Sequence, residues 1–409
     1  MHQGREPLSA AAWRPCLRDR AFALLILAWC VGCQIGRPPP NGAPADSGAA
    51  CGDLQADPRN CGACGYDCEG GACHAGICEP LEPGVLATGQ AQPGPMVVDD
   101  TSVYWANVGA PAILKCKKTG CGNAPTVLVE GYPAAASNLV LHDEVLYWGA
   151  GPAVYTCPVG GCGGAPRRLP VGGLVGPVAV APSGDVYYVQ QVGRTTLGAC
   201  PAGDCARATT VPWIPGSGVP YAADMFAPIA SAIALDGTNL YVLAATLLPG
   251  LLTTCAVDAC ATTARTLFVA ANGGPPVIAV DADNVYVALS DPQPEIEFIP
   301  KGANPNGGFP AAGNDRSTVL VTGLAAPSAI ATDGISVYWA DLGPPTEAGM
   351  PGAGTIAKCS VSGCNWVAKT VRSFVSSPAG IAVDEGNVYW TELGAGSDPF
   401  SGRVVYHAK

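Results

Sequence analysis

Ile381-Ala382-Val383-Asp384-Glu385-Gly386-Asn387-Val388-Tyr389-Trp390 is an apolar triplet, an Asp, a short polar turn and a second apolar stretch ending in two aromatics. Apolar runs of this length around an Asp/Gly/Asn cluster read as strand, tight turn, strand. In Val388-Tyr389-Trp390 successive side chains point to opposite faces of the strand, so both faces carry bulk. The same phrase stands at six other places: MVVDDTSVYW (96–105), LVLHDEVLYW (139–148), AVAPSGDVYY (179–188), IALDGTNLYV (233–242), IAVDADNVYV (278–287) and IATDGISVYW (330–339). Its Tyr residues, Tyr104, Tyr147, Tyr187, Tyr241, Tyr286, Tyr338 and Tyr389, recur every 40 to 54 residues. That period, with several strands per unit, is the signature of a β-propeller.

A second hairpin follows most phrases. Ala112–Lys115 precedes a turn and Thr126–Val129, and Thr355–Lys358 precedes a turn and Val367–Val371. Each unit therefore has four strands, a to d. The last unit ends on Arg403–Tyr406 as strand c, with no d. Gly84–Gly89, just before the first phrase, resembles the d segments Val127–Gly131 and Leu320–Gly323. The N-terminal strand is expected to complete the last blade and close the ring, which removes exposed sheet edges. The expectation is an all-β chain with a seven-bladed propeller over residues 84–409. A six-bladed ring needs one spurious phrase, and the third, with Pro182 in the Asp column, departs most.

Tyr338-Trp339-Ala340-Asp341 and Tyr389-Trp390-Thr391-Glu392 resemble the YWTD repeats of receptor propellers and the related NHL-type propellers. The resemblance covers about four-fifths of the chain. It implies a fold; propellers host binders, scaffolds and enzymes alike.

The remaining chain gives an address. Arg14, Arg18 and Arg20 precede the apolar run Ala21–Gly32, the layout of a secretory signal and too short for a membrane span. It ends in Cys30-Val31-Gly32-Cys33, which resembles a bacterial lipobox, with Cys30 in place of the usual Leu. That resemblance implies a lipoprotein-type signal over residues 1–33, lipidation of Cys33 and, with Gln34 next, an outer-membrane lipoprotein of the cell envelope. Residues 34–50, rich in Pro, Gly, Ala and Ser, read as a tether. Residues 51–80 hold a cysteine module with Cys51, Cys61, Cys64, Cys68, Cys73 and Cys78 and almost no aliphatic core, so disulfides must staple it. It resembles a short Cys-rich repeat of exported bacterial surface proteins. Its Cys61-x-x-Cys64 pair also admits a zinc or redox reading.

The chain has 19 Cys. Five pairs share one spacing in the c–d turns: Cys116/Cys121, Cys157/Cys162, Cys200/Cys205, Cys255/Cys260 and Cys359/Cys364. Facing residues of a hairpin lie at the separation a disulfide tolerates, and each turn supplies two metal ligands where zinc needs four. Disulfides, and hence an oxidising compartment, are expected.

Function is less legible. The formal net charge is −11 with no basic stripe, which argues against nucleic acid. The Asp column (Asp99, Asp236, Asp281, Asp333, Asp384) suits a ring of cations, but an Asp that opens a tight turn in blade after blade is what turn chemistry alone requires. His142, in the Asp column on an a–b turn, and His407 have no nucleophile motif beside them. In an up-and-down blade the a–b and c–d turns share one face, leaving the long segments Val211–Pro228, Ser290–Pro310, Asp341–Gly354 and Glu392–Gly402 for the other. These bring Trp213, Tyr221 and Phe226 together with Asp291, Glu295, Asp341 and Glu392, the candidate binding residues. Such a surface suits an envelope protein, a peptide or a glycan; solvated insertions are the plainer reading. The leading expectation is a non-enzymatic, lipid-anchored binding or scaffold module with no cofactor. The alternative is a metal-assisted, lactonase-like lyase or hydrolase with acids near the central channel, for which calcium is the ion considered.

Overall fold

The computed structural model describes residues 53–61, 72–79, 82–192, 194–211, 229–245, 251–269, 277–290, 294–302, 317–344, 353–365, 367–394 and 398–409. Trp213, Tyr221, Phe226, Asp291 and Cys33 lie outside them, as do Cys51, Cys64 and Cys68.

Seven four-stranded antiparallel sheets follow one another along the chain. Blade 1 is Pro93–Val98, Ser102–Asn107, Ala112–Lys117 and Thr126–Glu130. Blade 2 is Val140–His142, Val145–Ala150, Ala153–Pro158 and Arg167–Pro170; blade 3 is Leu174–Val180, Val186–Val192, Arg194–Cys200 and Thr209–Val211. Blade 4 is Ile229–Leu235, Asn239–Ala245, Leu251–Ala256 and Arg265–Val269; blade 5 is Val277–Val280, Asn284–Leu289, Glu295–Pro300 and Thr318–Thr322. Blade 6 is Pro327–Thr332, Ser336–Asp341, Ala353–Ser360 and Lys369–Ser376. Blade 7 is Pro378–Val383, Asn387–Glu392 and Gly402–Ala408, and its fourth strand is Gly84–Gln90. Val85 pairs with Val405, so the two ends of the propeller share one sheet. The third phrase makes a genuine blade, with Val178 opposite Tyr188 and Val180 opposite Val186.

The core is seven wedges, one per seam between neighbouring blades. Tyr104, Ile113 and Val129 of blade 1 pack on Leu139, Leu146 and Trp148 of blade 2. Trp105 and Leu114 pack in the opposite direction, on Leu86, Tyr389 and Val404 of blade 7. Other clusters join blades 2 and 3, 3 and 4, 4 and 5, 5 and 6, and 6 and 7. This is why the phrase carries two adjacent aromatics. The Tyr fills the seam ahead and the next residue fills the seam behind. Trp105, Trp148, Trp339 and Trp390 are fully buried, and burying a large side chain stabilises by roughly 1.5–3 kcal/mol.

Two glycines are dictated by seam geometry. A Cβ on Gly380 would stand 2.3 Å from the Gly94 carbonyl oxygen, and one on Gly149 would stand 2.1 Å from that of Gly176. In both cases the obstacle is backbone of the adjacent blade, which cannot rotate aside.

All five c–d cysteine pairs are disulfides: Cys116–Cys121, Cys157–Cys162, Cys200–Cys205, Cys255–Cys260 and Cys359–Cys364, with Cα separations of 4.5 to 5.5 Å. Their setting corrects the expectation that they bridge facing strand residues of a four-residue hairpin. The first Cys of each pair sits at the end of strand c, and the second lies beyond it, outside any strand. Cys205 opens the 3-10 turn Cys205–Arg207, Cys260 opens the single helical turn Cys260–Thr263, and Cys364 lies in a tight turn before strand d. In blade 1 the last strand pair is Lys115–Thr126, so the bond closes a small ring within a longer connection. The physical reason is packing, because the second Cys presses on the preceding blade. The Cys121 sulfur lies 3.5 Å from the Leu86 carbonyl, the Cys162 sulfur 3.8 Å from that of Leu128 and the Cys364 sulfur 3.9 Å from that of Leu320. Cys205 joins the apolar cluster between blades 2 and 3, and Cys260 that between blades 3 and 4. In the N-terminal module Cys61 bonds Cys73, not the neighbouring Cys64.

Two further sequence expectations are corrected. Ser290–Pro310 is not one loop. Glu295–Pro300 is strand c of blade 5: Ile296 is buried in the seam with blade 6 and Ile299 in the seam with blade 4, and Glu297 is buried as well. The next strand, Thr318–Thr322, is strand d of the same blade. His142 is not a turn residue: it pairs with Val145, and the turn is Asp143-Glu144, with φ of 46° and 60°. Two consecutive left-handed residues make a type I′ hairpin, which needs no Asp at the entry position.

Candidate functional site

The Asp and Tyr columns meet. Asp384 Oδ1 accepts from the Gly386 and Asn387 amides at 2.8 and 2.7 Å, and its Oδ2 accepts from the Tyr389 hydroxyl at 2.8 Å. Asp99, Asp236, Asp281 and Asp333 repeat this with Tyr104, Tyr241, Tyr286 and Tyr338. A Tyr buried in an apolar seam needs a partner for its hydroxyl. The same carboxylate that caps the turn provides it. In blade 3, where Pro182 replaces the Asp, the Tyr187 hydroxyl donates to the Val257 carbonyl of blade 4 at 2.7 Å.

The residue just after strand c of the next blade completes the arrangement. Lys118 lies 2.6 Å from Asp384 and Lys301 2.7 Å from Asp236, while Lys409 pairs with Asp333. Each ammonium also stands over the Tyr ring of the same unit, at 5.9, 5.7 and 5.4 Å from the centroid. Charge and ring face attract in that geometry. These three lysines clasp blade 7 to 1, 4 to 5 and 6 to 7. Burial pushes the Asp384 carboxyl up, but Lys118 and the turn amides outweigh it and hold it at about 2. Asp236 and Asp333 are displaced downward for the same balance of reasons, with Lys301 and Lys409 in place of Lys118; at Asp99, which has no lysine, burial is outweighed by the Tyr104 hydroxyl and the turn amides. Burial, then the adjacent carboxylate, pushes the Tyr104, Tyr241, Tyr286 and Tyr389 hydroxyls up. The Asp column is thus fully engaged in folding.

On the opposite side, Asp341 and Glu392 end strand b of blades 6 and 7 and are 5% and 2% exposed. Asp341 accepts from the Ala325, Ala326 and Gly343 amides at 2.8 to 2.9 Å. It therefore pins the blade 5–6 connection to the start of its own b–c loop. Glu392 accepts from Trp390 Nε1 at 3.0 Å and from Arg403 Nε at 2.7 Å. Both carboxylates are pegs under the long loops. Their burial was not apparent from the sequence, where charge in a Gly/Pro-rich stretch suggests solvent. Glu295 starts strand c of blade 5, half-buried and opposite Leu289.

The channel through the ring is lined by strand a of blades 1, 2, 5, 6 and 7. A cavity of about 480 Å³ opens there, walled by Met, Val, Leu, Ile and Ala side chains with Thr332 as the polar exception. Asp341 and Glu392 are not in that wall. Among the described residues no group of three or more His, Cys, Asp or Glu is placed to hold a metal ion.

No protein-family model matches the chain, and no curated protein matches its sequence. Solved structures match over 80% of it. A streptogramin B lyase is 13% identical, with a TM-score of 0.53 over 97% of that chain. The virginiamycin B lyase of Staphylococcus aureus is 15% identical, with a TM-score of 0.53 over 98% of its chain. A β-propeller domain from Myceliophteria thermophila is 8% identical, with a TM-score of 0.55 over 99% of its chain. The fold is a seven-bladed β-propeller. At such low identity the likeness extends to the propeller scaffold and not to its chemistry.

Proposed function

We propose that the chain is an exported, lipid-anchored envelope protein whose propeller serves as a binding or scaffold module, presenting its long-loop face to a partner. The observation that carries this reading is the use of cysteine. Five disulfides, one in the c–d turn of each of five blades, are bonds that persist in an oxidising compartment. The arginine-led apolar run ending at Cys33 and the Pro-rich tether after it support the same address.

The two sides of the ring divide the labour. One side of the ring is locked by Asp–Tyr pairs, lysine clasps and disulfides. On the other side Asp341 and Glu392 fix the bases of the b–c loops, so those loops leave a rigid frame. Binding residues held on loops over a stiff scaffold lose less entropy on association. An envelope protein, a peptide or a glycan is the partner class proposed for these loops, whose sequence includes Trp213, Tyr221 and Phe226. The lyase or hydrolase alternative gains no support from Asp341 and Glu392, whose oxygens are engaged by the protein's own donors.

The test is capture from envelope extract with the full chain, comparing wild type with a variant whose residues 212–228 are replaced by a short Gly/Ser linker. A component retained by wild type and lost from the variant, with unchanged melting, supports the reading. Equal retention by both removes this face as the docking surface.

A further inference from the structure

The seam between blades 2 and 3 lacks the lysine clasp that closes the 7–1, 4–5 and 6–7 seams. We propose that it is a binding site for a small organic carboxylate with an apolar body. This rests on an internal comparison with the seam between blades 4 and 5 and is independent of the envelope reading above.

Blade 4 carries the row Tyr241, Thr254 and Arg265, side by side on strands b, c and d. There the Asp236 carboxylate accepts from the Tyr241 hydroxyl, Lys301 of blade 5 closes over it, and Arg265 Nη2 donates to the Lys301 carbonyl at 3.2 Å. Blade 2 carries the same row: Tyr147 pairs with Thr156, and Thr156 with Arg167. Both closing groups are missing. The Asp position is His142, and the lysine position in blade 3, three residues past the strand-c partner of Tyr187, is Ala202, flanked by Pro201 and Gly203. Small residues stand where Lys301 stands in the intact seam. Among the described residues no hydrogen bond is made by the Tyr147 hydroxyl.

What remains is a cavity of about 390 Å³ whose blade 2 lining mixes Tyr147, Thr156 and Arg167 with the apolar Val145, Leu169 and Ala165, and to which blade 3 contributes Ala202 and Gly203. The polar groups that line it, Tyr147, Thr156 and Arg167, can all donate. Arg167 offers a planar fork suited to a carboxylate. Two acids stand beside the cavity: Asp143 is directed to solvent, its side chain 86% exposed and 3.3 Å from His142 Nε2, and Asp185 of blade 3 is engaged by the Ala202 amide, which donates to its Oδ1 at 2.6 Å. The internal counterpart identifies the ligand chemistry. In blade 4 a carboxylate occupies this position on the equivalent Tyr hydroxyl; in blade 2 the chain supplies none. A ligand carboxylate completes the row, and its carbon body lies on the apolar lining.

The experiment is calorimetric titration of the full chain with sodium hexanoate, with hexanol and sodium sulfate in parallel. The expected result is one site for hexanoate and much weaker binding of the two controls. Arg167→Gln and Tyr147→Phe should each weaken hexanoate by at least about tenfold, the loss expected for a hydrogen bond to a charged group. Arg168→Gln, on the opposite face of the same strand, should leave it unchanged. Arg167 is exposed and Tyr147→Phe is nearly isosteric, so unaltered melting curves establish that both variants fold. Absence of hexanoate binding overturns the proposal. So does binding that survives both variants, which places the ligand in the central channel, or sulfate binding equal to hexanoate, which removes the role of the apolar lining.

Discussion

Replacing Asp384 by Ala removes four partners at once. The Gly386 and Asn387 amides, at 2.8 and 2.7 Å, lie at a turn where water can replace the carboxylate, so each loss costs about 0.5–1 kcal/mol. The Tyr389 hydroxyl, donating at 2.8 Å from a buried ring, loses its acceptor at about 1–2 kcal/mol. The Lys118 pair, at 2.6 Å with both side chains 18% exposed, adds about 1 kcal/mol, at the upper end for a partly solvated pair. The total is about 3–5 kcal/mol, measured as the free-energy difference in urea unfolding. Asp281→Ala is the internal control. It makes the same turn and Tyr bonds, but the residue after strand c of blade 6 is Val361 rather than Lys. Asp281→Ala should therefore cost about 1 kcal/mol less, and Lys118→Met combined with Asp384→Ala should fall short of additivity by that amount. The pH dependence has a definite sign. The folded-state pKa of Asp384 lies below its unfolded value, so its contribution is fully present above the ordinary carboxylate range. It is lost as pH falls through about 2, and Asp384→Ala should flatten this part of the acid limb. Equal costs for Asp384→Ala and Asp281→Ala, with an additive cycle, would refute the clasp.

Cys116→Ser with Cys121→Ser opens one small ring and should lower stability by about 2 kcal/mol in urea unfolding. Glu392→Ala leaves the buried Trp390 Nε1 without its acceptor, while Arg403, 45% exposed, can turn to water, and a loss of about 1–3 kcal/mol is expected, read as a drop in melting temperature. Gly380→Ala drives a Cβ into the Gly94 carbonyl at 2.3 Å. Because neither backbone can yield, overpacking of at least about 1–3 kcal/mol should appear as lowered yield and early melting, whereas Gly160→Ala, with open space around it, should be neutral.

The ring was legible because its signals are local and repeated. Each phrase fixes one hairpin, and Gly84–Gly89 matches the d segments closely enough to reveal closure before any contact is known. The c–d disulfides were legible from spacing, but not the way Cys121, Cys162 and Cys364 lean on the preceding blade. The other seam contacts were equally hidden. Alignment shows an Asp column and a Tyr column but not that Asp384 and Tyr389 touch, nor that Lys118 reaches across from blade 1. Strand c of blade 5 was hidden because Glu295 and Glu297 alternate with apolar residues inside a Pro-rich stretch, and charge masked a buried strand. Charge likewise misplaced Asp341 and Glu392, read as loop-surface acids although both are interior pegs. The blade 2–3 site carries no motif of its own. It becomes visible only when the Tyr147 row is laid beside the Tyr241 row and the missing Asp and Lys are noticed.

The most direct test of the functional account is the mass of the N-terminal peptide of the mature protein, produced in a bacterial host and extracted from membranes. The account predicts that the chain begins at Cys33 and that this residue carries a lipid. An N-terminus elsewhere, or an unmodified Cys33, would contradict it.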